Sequence, residues 1–460
     1  MKRFDEARIL EWFQRKIHKP LVIRGARQVG KSTLVRQFAK NNNLTLHEIN
    51  LEKNPQLEEV FKRQNTHEII NELEFITQKG KIIPGETVLF LDEIQSIPKA
   101  IQSLRYFYED MPALHIIAAG SLLEFTLARH SFSMPVGRIE YLYMYPVTFF
   151  EYLNACDEKP LVDILRNYKI GDYFPISAHE KCVNYQRNYI LAGGMPEALQ
   201  ILISENNLER VFNIQSQILE TYRDDFAKYA TGNDLLRIQK IFDFIPSAIG
   251  EKIKYVNIDP HIKARELKKA YDLLVKAGLI IPAYHSDASG IPLKATKNEK
   301  VYKSFFLDIG LINRSCGLEY IPLDILKSIK FINEGKLAEQ FIAQHLLTIG
   351  RKNEKQHLFY WLREGRRTNA EVDFLIQKNS EIIPIEVKAG KTGTLKSIHQ
   401  FIFRKNCKLA LRFDLNLPRL ESVNIKIKQP EDSKEVRFKL LSLPLYMVEL
   451  LPTLYKNLCK

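Results

Sequence analysis

A short glycine-containing stretch of the sequence has the residue types and spacing needed to hold a phosphate chain. An apolar segment, Leu21 to Ile23, leads into G-x-x-x-x-G-K-S, and a segment with helical apolar spacing follows. Glycines let backbone N–H groups curl around phosphates, and the start of the following helix adds its positive dipole end. Lys31 would reach the β- and γ-phosphates of a nucleotide, and the Ser32 hydroxyl would bind Mg²⁺. The predicted cradle consists of Gly25, Ala26, Arg27, Gln28, Val29, Gly30, Lys31, Ser32 and Thr33.

Two acidic residues follow a second apolar run, where a nucleotide site needs them. The run Val88 to Leu91 predicts a buried parallel strand, and Asp92 and Glu93 come directly after it. Open α/β sheets bind ligands beyond the carboxyl ends of such strands. Asp92 would hold Mg²⁺ through a water, and Glu93 would orient and activate the water that attacks ATP. An Asp-Glu pair alone is often a helix cap, but together with the phosphate cradle it predicts ATP hydrolysis.

Two further residues are candidates for contact with the γ-phosphate. Ser121 ends a third apolar run, "LHIIAAGS", and is a small polar residue placed to sense that phosphate. Arg138 would reach a nucleotide in its own or a neighbouring subunit, as an arginine finger does. An ordinary surface arginine is the alternative for Arg138. A finger acting on a neighbour would require a homo-oligomer.

The C-terminal part of the sequence carries charged residues inside strand-like segments. The segment "EGKLAEQFIAQHLLTIG" has helical spacing, and three strand-like segments, a helix and another strand follow it. This order resembles the core of restriction-endonuclease-like enzymes. Their active-site pattern is an acid on the first helix, Asp on one strand and Glu-x-Lys on the next. The resemblance places that pattern on Glu339, Asp373, Glu386 and Lys388.

These four residues have the chemistry of a metal-dependent nuclease. Alternation along a strand puts Glu386 and Lys388 on one face. Asp373 and Glu386 would hold Mg²⁺, a hard cation that prefers oxygen ligands. Lys388 would steer the attacking water and offset developing negative charge. Two alternatives remain open: charged residues on a solvent-facing strand, and a restriction-like fold that no longer cuts.

The N-terminal motifs resemble those of a known family. The segments "GARQVGKST", "LFLDEIQ", "AAGSLLEF", "GRIEYLYMYPVTFFEYL" and "YILAGGMPEAL" look like the prokaryotic AAA-superfamily ATPases that carry a C-terminal domain of unknown function. The resemblance implies a P-loop core with an additional strand, a small helical lid and a winged-helix domain in the middle of the chain. The basic segment "ARELKKAYDLLVKAG" would either enter a DNA groove or present an ordinary basic face.

We therefore expect an α/β fold with three domains. They are an AAA-type P-loop ATPase core with its lid over 1–205, a winged-helix-like domain over 206–315 and a restriction-endonuclease-like domain over 316–460. The predicted function is an ATP-hydrolysing switch coupled to a Mg-dependent nuclease-like domain that acts on nucleic acid, DNA more than RNA. The alternative is an ATP-dependent regulatory binding protein whose nuclease-like domain is catalytically silent.

Composition is consistent with these expectations. The formal net charge is +13, and residues 331–460 hold 23 Lys+Arg against 14 Asp+Glu, so +9 of it lies there. Such charge favours polyanionic partners, although a solvated basic surface would look the same. The five cysteines have no paired spacing, which predicts free thiols in the cytoplasm. No apolar run is long enough to span a membrane, and the charged start is unlike a signal peptide.

Overall fold

The computed structural model describes residues 1–120, 135, 137–228, 230–318, 334–363, 369–428 and 433–458. These residues form two compact units. The first contains Met1–Val147, Asp272–Leu279 and Arg351–Lys355, and the second contains Thr148–Tyr271, Ile280–Gly350 and Gln356–Lys460. The predicted domain boundaries at 205 and 315 remain predictions. No helix in the described ranges is both long and apolar enough to cross a membrane.

The first unit is built on a five-stranded parallel sheet. Its strands are β1 (Leu21–Arg24), β2 (Thr45–Asn50), β3 (Thr87–Asp92), β4 (Ile116–Gly120) and β5 (Glu140–Tyr143), in the order β2-β3-β4-β1-β5. Its helices are α1 (Asp5–Phe13), α2 (Lys31–Asn41), α3 (Leu57–Lys62), α4 (Thr66–Thr77) and α5 (Pro98–Asp110). Strand β4 lies between β1 and β3, which is the additional-strand arrangement that the sequence resemblance implies.

Apolar runs explain why this sheet is buried on both faces. Every residue of β3 and β4 is buried, as expected for parallel strands covered by helices on each side. One continuous core joins residues of β3 and β4 to Leu104 and Phe107 of α5 and to Ile69 and Leu73 of α4. The carboxyl ends of β1, β3 and β4 therefore lie side by side at one edge of the sheet.

The second unit contains an eight-stranded mixed sheet. Its strands are β6 (Ile280–Ser286), β7 (Lys297–Phe306), β8 (Leu358–Arg363), β9 (Ala370–Lys378), β10 (Glu381–Val387), β11 (Leu409–Asp414), β12 (Arg419–Lys428) and β13 (Ser433–Pro444). Their order is β12-β13-β11-β10-β9-β8-β6-β7. The β9–β10 pair is antiparallel, and β10–β11 and β11–β13 are parallel.

The described helices that follow β5 in the chain are numbered from α6 onward. They are α6 (Phe149–Ala155), α7 (Lys159–Asn167), α8 (Ile176–Ala192), α9 (Pro196–Glu205), α10 (Leu208–Phe226), α11 (Gly232–Phe244), α12 (Ala264–Lys276), α13 (Ile309–Ser315), α14 (Glu334–Leu346), α15 (Lys396–Lys405) and α16 (Leu451–Leu458).

The predicted element order of the C-terminal part agrees with the described structure. Helix α14 is followed by β8, β9 and β10, then by α15 and β11. The hairpin β6–β7 lies within the segment assigned to a separate winged-helix-like domain, but it is hydrogen-bonded to β8 in the same sheet. The middle and C-terminal segments thus share one mixed sheet. The winged-helix and restriction-like assignments stay predictions.

Candidate functional site

The phosphate-binding loop is positioned by the end of β1 and the start of α2. Gly30 is the residue before the helix and has a left-handed backbone, with φ of 93°. At Gly25 a Cβ would lie 2.3 Å from the Met144 carbonyl oxygen, so a side chain cannot be accommodated there. Arg3 links the loop to a neighbouring segment. Its guanidinium donates to the carbonyl of Val29 in the loop at 2.9 Å and to that of Tyr145 at 2.7 Å. No local sequence pattern indicates this role of Arg3.

Lys31 is buried inside the loop. Its Nζ donates to the carbonyl oxygens of Ala26 at 2.8 Å and Gly25 at 3.1 Å. Burial lowers the pKa of Lys31 to about 8, although the carboxylates of Glu93 and Asp92 act in the opposite direction. A phosphate would supply the strong negative partner that these two neutral carbonyls do not.

The acidic pair after β3 lies against the start of α2. Ser32 Oγ donates to Asp92 Oδ2 at 2.9 Å, and the Glu93 backbone N–H donates to Asp92 Oδ1 at 3.1 Å. Burial raises the pKa of Asp92 above its ordinary value. A hydroxyl and a carboxylate in contact are oxygen donors of the kind Mg²⁺ requires. Ser32 and Asp92 therefore fit the metal that the sequence predicts.

Glu93 is oriented by a residue that the sequence analysis did not identify. Gln95 donates its side-chain amide to Glu93 Oε2, and Glu93 itself has a left-handed backbone, with φ of 52°. A Cβ on Gly120, the last residue of β4, would lie 2.4 Å from Gln95 Oε1. The glycine therefore leaves the space that Gln95 occupies. The only sequence signal was the position of Gln95 two residues after Glu93.

The other two predicted nucleotide contacts are Ser121 and Arg138. Ser121 lies outside the described residues. The Arg138 guanidinium is 43% exposed and its Nε forms an ion pair with Glu109 Oε1 of α5 at 3.2 Å. Its role as an arginine finger stays a prediction.

Asp373 and Glu386 lie next to each other in the sheet of the second unit. Phe374 of β9 pairs with Ile385 of β10, so Asp373 and Glu386 follow at the next register position. The Val387 backbone N–H donates to Asp373 Oδ2 at 2.8 Å, and Lys388 Nζ donates to Glu386 Oε1 at 2.5 Å. Glu386 is only 5% exposed, which argues against the alternative of a solvent-facing strand.

A buried lysine from β7 joins this cluster. Lys303 is 1% exposed, its Nζ lies 3.5 Å from Glu339 Oε2, and it forms a second ion pair with Glu371. Glu339, on α14, also interacts electrostatically with Asp373. The structure thus brings the four predicted residues into one cluster and adds Lys303 and Glu371. Lys303 lies some seventy residues from Asp373 in a segment assigned to another domain, so spacing offered no signal for it.

Burial controls the electrostatics of this acidic cluster. It raises the pKa of Glu339 to about 8, against the opposing charge of Lys303. Burial and the nearby Asp373 carboxylate raise the pKa of Glu386 to about 7, and burial raises that of Asp373 as well. Carboxyl groups whose pKa values are strongly perturbed by burial and by neighbouring charges cluster at functional sites.

The donor set of the cluster fits a magnesium ion held by two carboxylates. Within the described ranges no group of three or more His, Cys, Asp or Glu residues is arranged to hold a metal. Mg²⁺, however, is usually bound through one or two carboxylates with waters and substrate oxygens completing its shell. Glu386 Oε2 is buried and has no hydrogen-bond partner among the described residues. That oxygen is free to bind a cation beside Asp373.

Three family models match separate parts of the chain. Residues 17–153 match a family described as an AAA domain. Residues 184–320 match a domain of unknown function (DUF8612), and residues 334–425 match another domain of unknown function (DUF4143). No curated protein matches the chain significantly.

Two solved structures show weak similarity. The Aeropyrum pernix ORC2 protein, in its ADPNP-ADP complexes, is 12% identical over 71% of this chain and 96% of its own, with a TM-score of 0.36. The Thermotoga maritima RuvB Holliday junction branch migration motor is 17% identical over 60% of this chain and 84% of its own, with a TM-score of 0.26. Scores at this level support no inference about this chain. The family match and the loop geometry together show that the N-terminal part of the chain is an AAA-type P-loop ATPase domain.

Proposed function

We propose that the protein is an ATP-hydrolysing AAA-type switch coupled to a C-terminal Mg-dependent nuclease-like domain that acts on nucleic acid. The observation that carries the proposal is the convergence of Glu339, Asp373, Glu386 and Lys388 in a chain that also has a complete P-loop. The net charge of +9 in residues 331–460 supports a polyanionic partner such as nucleic acid.

In the ATPase half, each side chain has a separate task. Lys31 would exchange its two carbonyl partners for the β- and γ-phosphates. Ser32 and Asp92 would hold the magnesium that accompanies ATP. Glu93, held by Gln95, would accept a proton from the attacking water. Ser121 would sense the γ-phosphate, and Arg138 would reach it in its own or in a neighbouring subunit.

In the nuclease-like half, Asp373 and Glu386 would hold the metal and Lys388 would position the water. A bound Mg²⁺ polarises a scissile phosphate and lowers the pKa of bound water. Lys388 lies next to Glu386, where its ammonium would offset the charge that develops on the phosphate. Glu339 would complete the acidic cluster from α14.

A second candidate function is a regulatory binding protein with a catalytically silent C-terminal domain. One observation favours it: Lys303 already places a positive charge against Glu339 and Glu371. A cluster with its own buried cation can be stable without metal. ATP would then set an assembly state, and the basic surface would bind nucleic acid without cutting it.

Cleavage assays distinguish these two functions. Purified protein is incubated with Mg²⁺, with and without ATP, and with single- and double-stranded DNA and RNA. We expect cleavage that is lost in Lys388→Ala and kept in Lys396→Ala, an exposed lysine at the start of α15. Nucleic-acid binding without cleavage, unaffected by Asp373→Ala, would establish the silent alternative.

The ATPase assignment has its own test. Lys31→Ala should abolish nucleotide binding, whereas Glu93→Gln should bind ATP and hydrolyse it about a hundredfold or more slowly, because general-base catalysis has this magnitude. Glu72→Gln, on an exposed position of α4, is the matched control. Normal turnover in Glu93→Gln would show that another group activates the water.

A further inference from the structure

The acidic cluster of the second unit contains a buried positive charge, the ammonium group of Lys303. Lys303 is the seventh residue of β7, and its side chain is almost completely buried. The ammonium lies 3.5 Å from Glu339 Oε2, contacts Glu371 and stands 5.3 Å from the centre of the Tyr360 ring. An unpaired ammonium at this depth would be strongly destabilising, so its carboxylate partners are a condition of its burial.

Backbone packing keeps this lysine in place. A segment from Gly250 to Ile253 runs along β7: Gly250 N–H donates to the Ser304 carbonyl at 2.9 Å, and Ile253 N–H donates to that of Tyr302 at 3.1 Å. Lys252 forms an antiparallel bridge with Lys303 itself. A Cβ on Gly250, whose φ is +71°, would lie 3.0 Å from Glu339 Oε2. The segment therefore packs directly over the Glu339–Lys303 ion pair.

The charges of the cluster balance only in part. Four carboxyl groups, those of Glu339, Glu371, Asp373 and Glu386, share two ammonium groups, those of Lys303 and Lys388. Burial lowers the pKa of Lys303, but the negative charges of Glu339, Asp373 and Glu371 raise it by more. The pKa of Lys303 therefore lies above its ordinary value. Lys303 is therefore an ammonium ion at neutral pH.

We propose that Lys303 is a built-in counter-ion that stabilises the acidic cluster without metal and whose charge weakens the binding of a divalent cation to the neighbouring Asp373 and Glu386. Because its charge acts on Glu339 and Asp373, a metal bound between Asp373 and Glu386 is repelled by it. Either the lysine or a metal ion can therefore compensate part of the negative charge of the cluster. This inference rests on the proposed metal site, and it assigns Lys303 as a positioning residue whose charge sets the divalent-ion affinity of that site.

Metal binding and stability measurements test the proposal without a cleavage assay. Mn²⁺ binding to the full chain is measured by electron paramagnetic resonance and calorimetry in the absence of nucleotide. Thermal unfolding is followed in EDTA and in Mn²⁺. The variants are Lys303→Met, which removes the charge, Lys303→Arg, which keeps it, and Asp373→Asn, which identifies binding at the cluster.

We expect Lys303→Met to bind Mn²⁺ about tenfold more tightly or better, since one repelling charge has been removed at close range. Its midpoint of unfolding should be lower than that of the native protein in EDTA and should rise more on adding Mn²⁺. Lys303→Arg should resemble the native protein. If Lys303→Met fails to fold in EDTA, its recovery in Mn²⁺ is the same result.

The possible outcomes separate this inference from the proposed function. Native protein that binds Mn²⁺, with Lys303→Met no tighter and no more stabilised by metal, overturns the inference and leaves the metal site intact. Failure of Lys303→Met to fold even in Mn²⁺ also overturns it. Tight binding by Lys303→Met alone supports the inference and favours the silent alternative. No binding to either protein overturns both proposals.

Discussion

At the residue scale, the hydrogen-bond partners of the P-loop lysine are neutral groups. Lys31 is buried and donates to two backbone carbonyls, and its pKa is lowered to about 8. A bound triphosphate would surround the same ammonium with negative oxygens and raise its pKa. We therefore expect nucleotide binding to be coupled to the protonation of Lys31.

This coupling predicts a pH-dependent affinity for ATP. Because the pKa of Lys31 is lower in the free protein than in the complex, affinity is full below about pH 8 and falls as the pH rises above it. The fall should approach about tenfold per pH unit at most, since a single proton is taken up. Calorimetric titration of the protein with ATP from pH 7 to pH 9.5 measures it. A constant affinity over this range would mean that Lys31 is fully charged in the free protein.

At the element scale, side chains reach their positions because neighbouring strand ends leave room for them. Gly120, at the end of β4, lies where Gln95 packs. Gly393, in the loop after β10, lies where Lys388 packs. A Cβ on Gly120 would lie 2.4 Å from Gln95 Oε1, and one on Gly393 would lie 2.7 Å from Lys388 Cδ. Both glycines therefore leave the space that a functional side chain occupies.

Gly120→Ala should impair hydrolysis more than binding. The added methyl group displaces Gln95, which then no longer holds the Glu93 carboxylate. We expect turnover to fall about tenfold or more, as for a displaced general base, while the dissociation constant for ATP changes little. Gln95→Ala should have the same effect. In the double variant the two losses should not add, because both act through one side chain. Additive losses would exclude Gln95 as the link.

Gly393→Ala should act through Lys388 in the second unit. Displacing the lysine stem should lower cleavage toward the level of Lys388→Ala, while Mn²⁺ binding at Asp373 and Glu386 is retained. Gly390→Ala is the matched control, because a Cβ there would meet nothing within 4 Å. Equal activity of the two alanine variants would show that the position of Lys388 does not limit cleavage.

At the scale of the whole molecule, the acidic cluster links the stability of the metal-free protein to pH. Burial raises the pKa of Glu339 to about 8 and that of Glu386 to about 7, so the folded protein keeps protons that the unfolded chain releases near its ordinary value of 4.5. The stability that these groups contribute is therefore full below about pH 4.5 and is lost as the pH rises through 7 to 8. Lys303 and Lys388 oppose the shift, and Asp373 and Glu371 reinforce it.

Urea unfolding in EDTA at pH 5.5 and pH 8.5 checks this prediction. The native protein should lose more free energy of unfolding between the two pH values than the Glu339→Gln, Glu386→Gln double variant. Mg²⁺ should reduce the loss in the native protein, because it binds the ionised carboxylates. An identical pH dependence of the two proteins would show that these carboxyl groups titrate normally.

The amino-acid sequence by itself determined the parts of this protein that depend on local spacing. The loop from Gly25 to Ser32, the Asp92-Glu93 pair and the Glu386-x-Lys388 pattern each lie within a few residues, so chain geometry alone brings their members together. The order of helix and strands from α14 to β11 follows from hydrophobic periodicity in the same way. Among these motifs, the P-loop is the one that a family match supports as an ATPase domain.

Only the tertiary structure decided what meets these motifs from distant parts of the chain. It joined β6 and β7 to the sheet that carries Asp373 and Glu386, and this pairing brought Lys303 to the acidic cluster. It also placed Gln95 against Gly120 and Arg3 behind the phosphate-binding loop. Such contacts depend on which strands pair and in what register. Local periodicity does not contain that information, because a strand has the same alternating pattern whichever neighbour it joins.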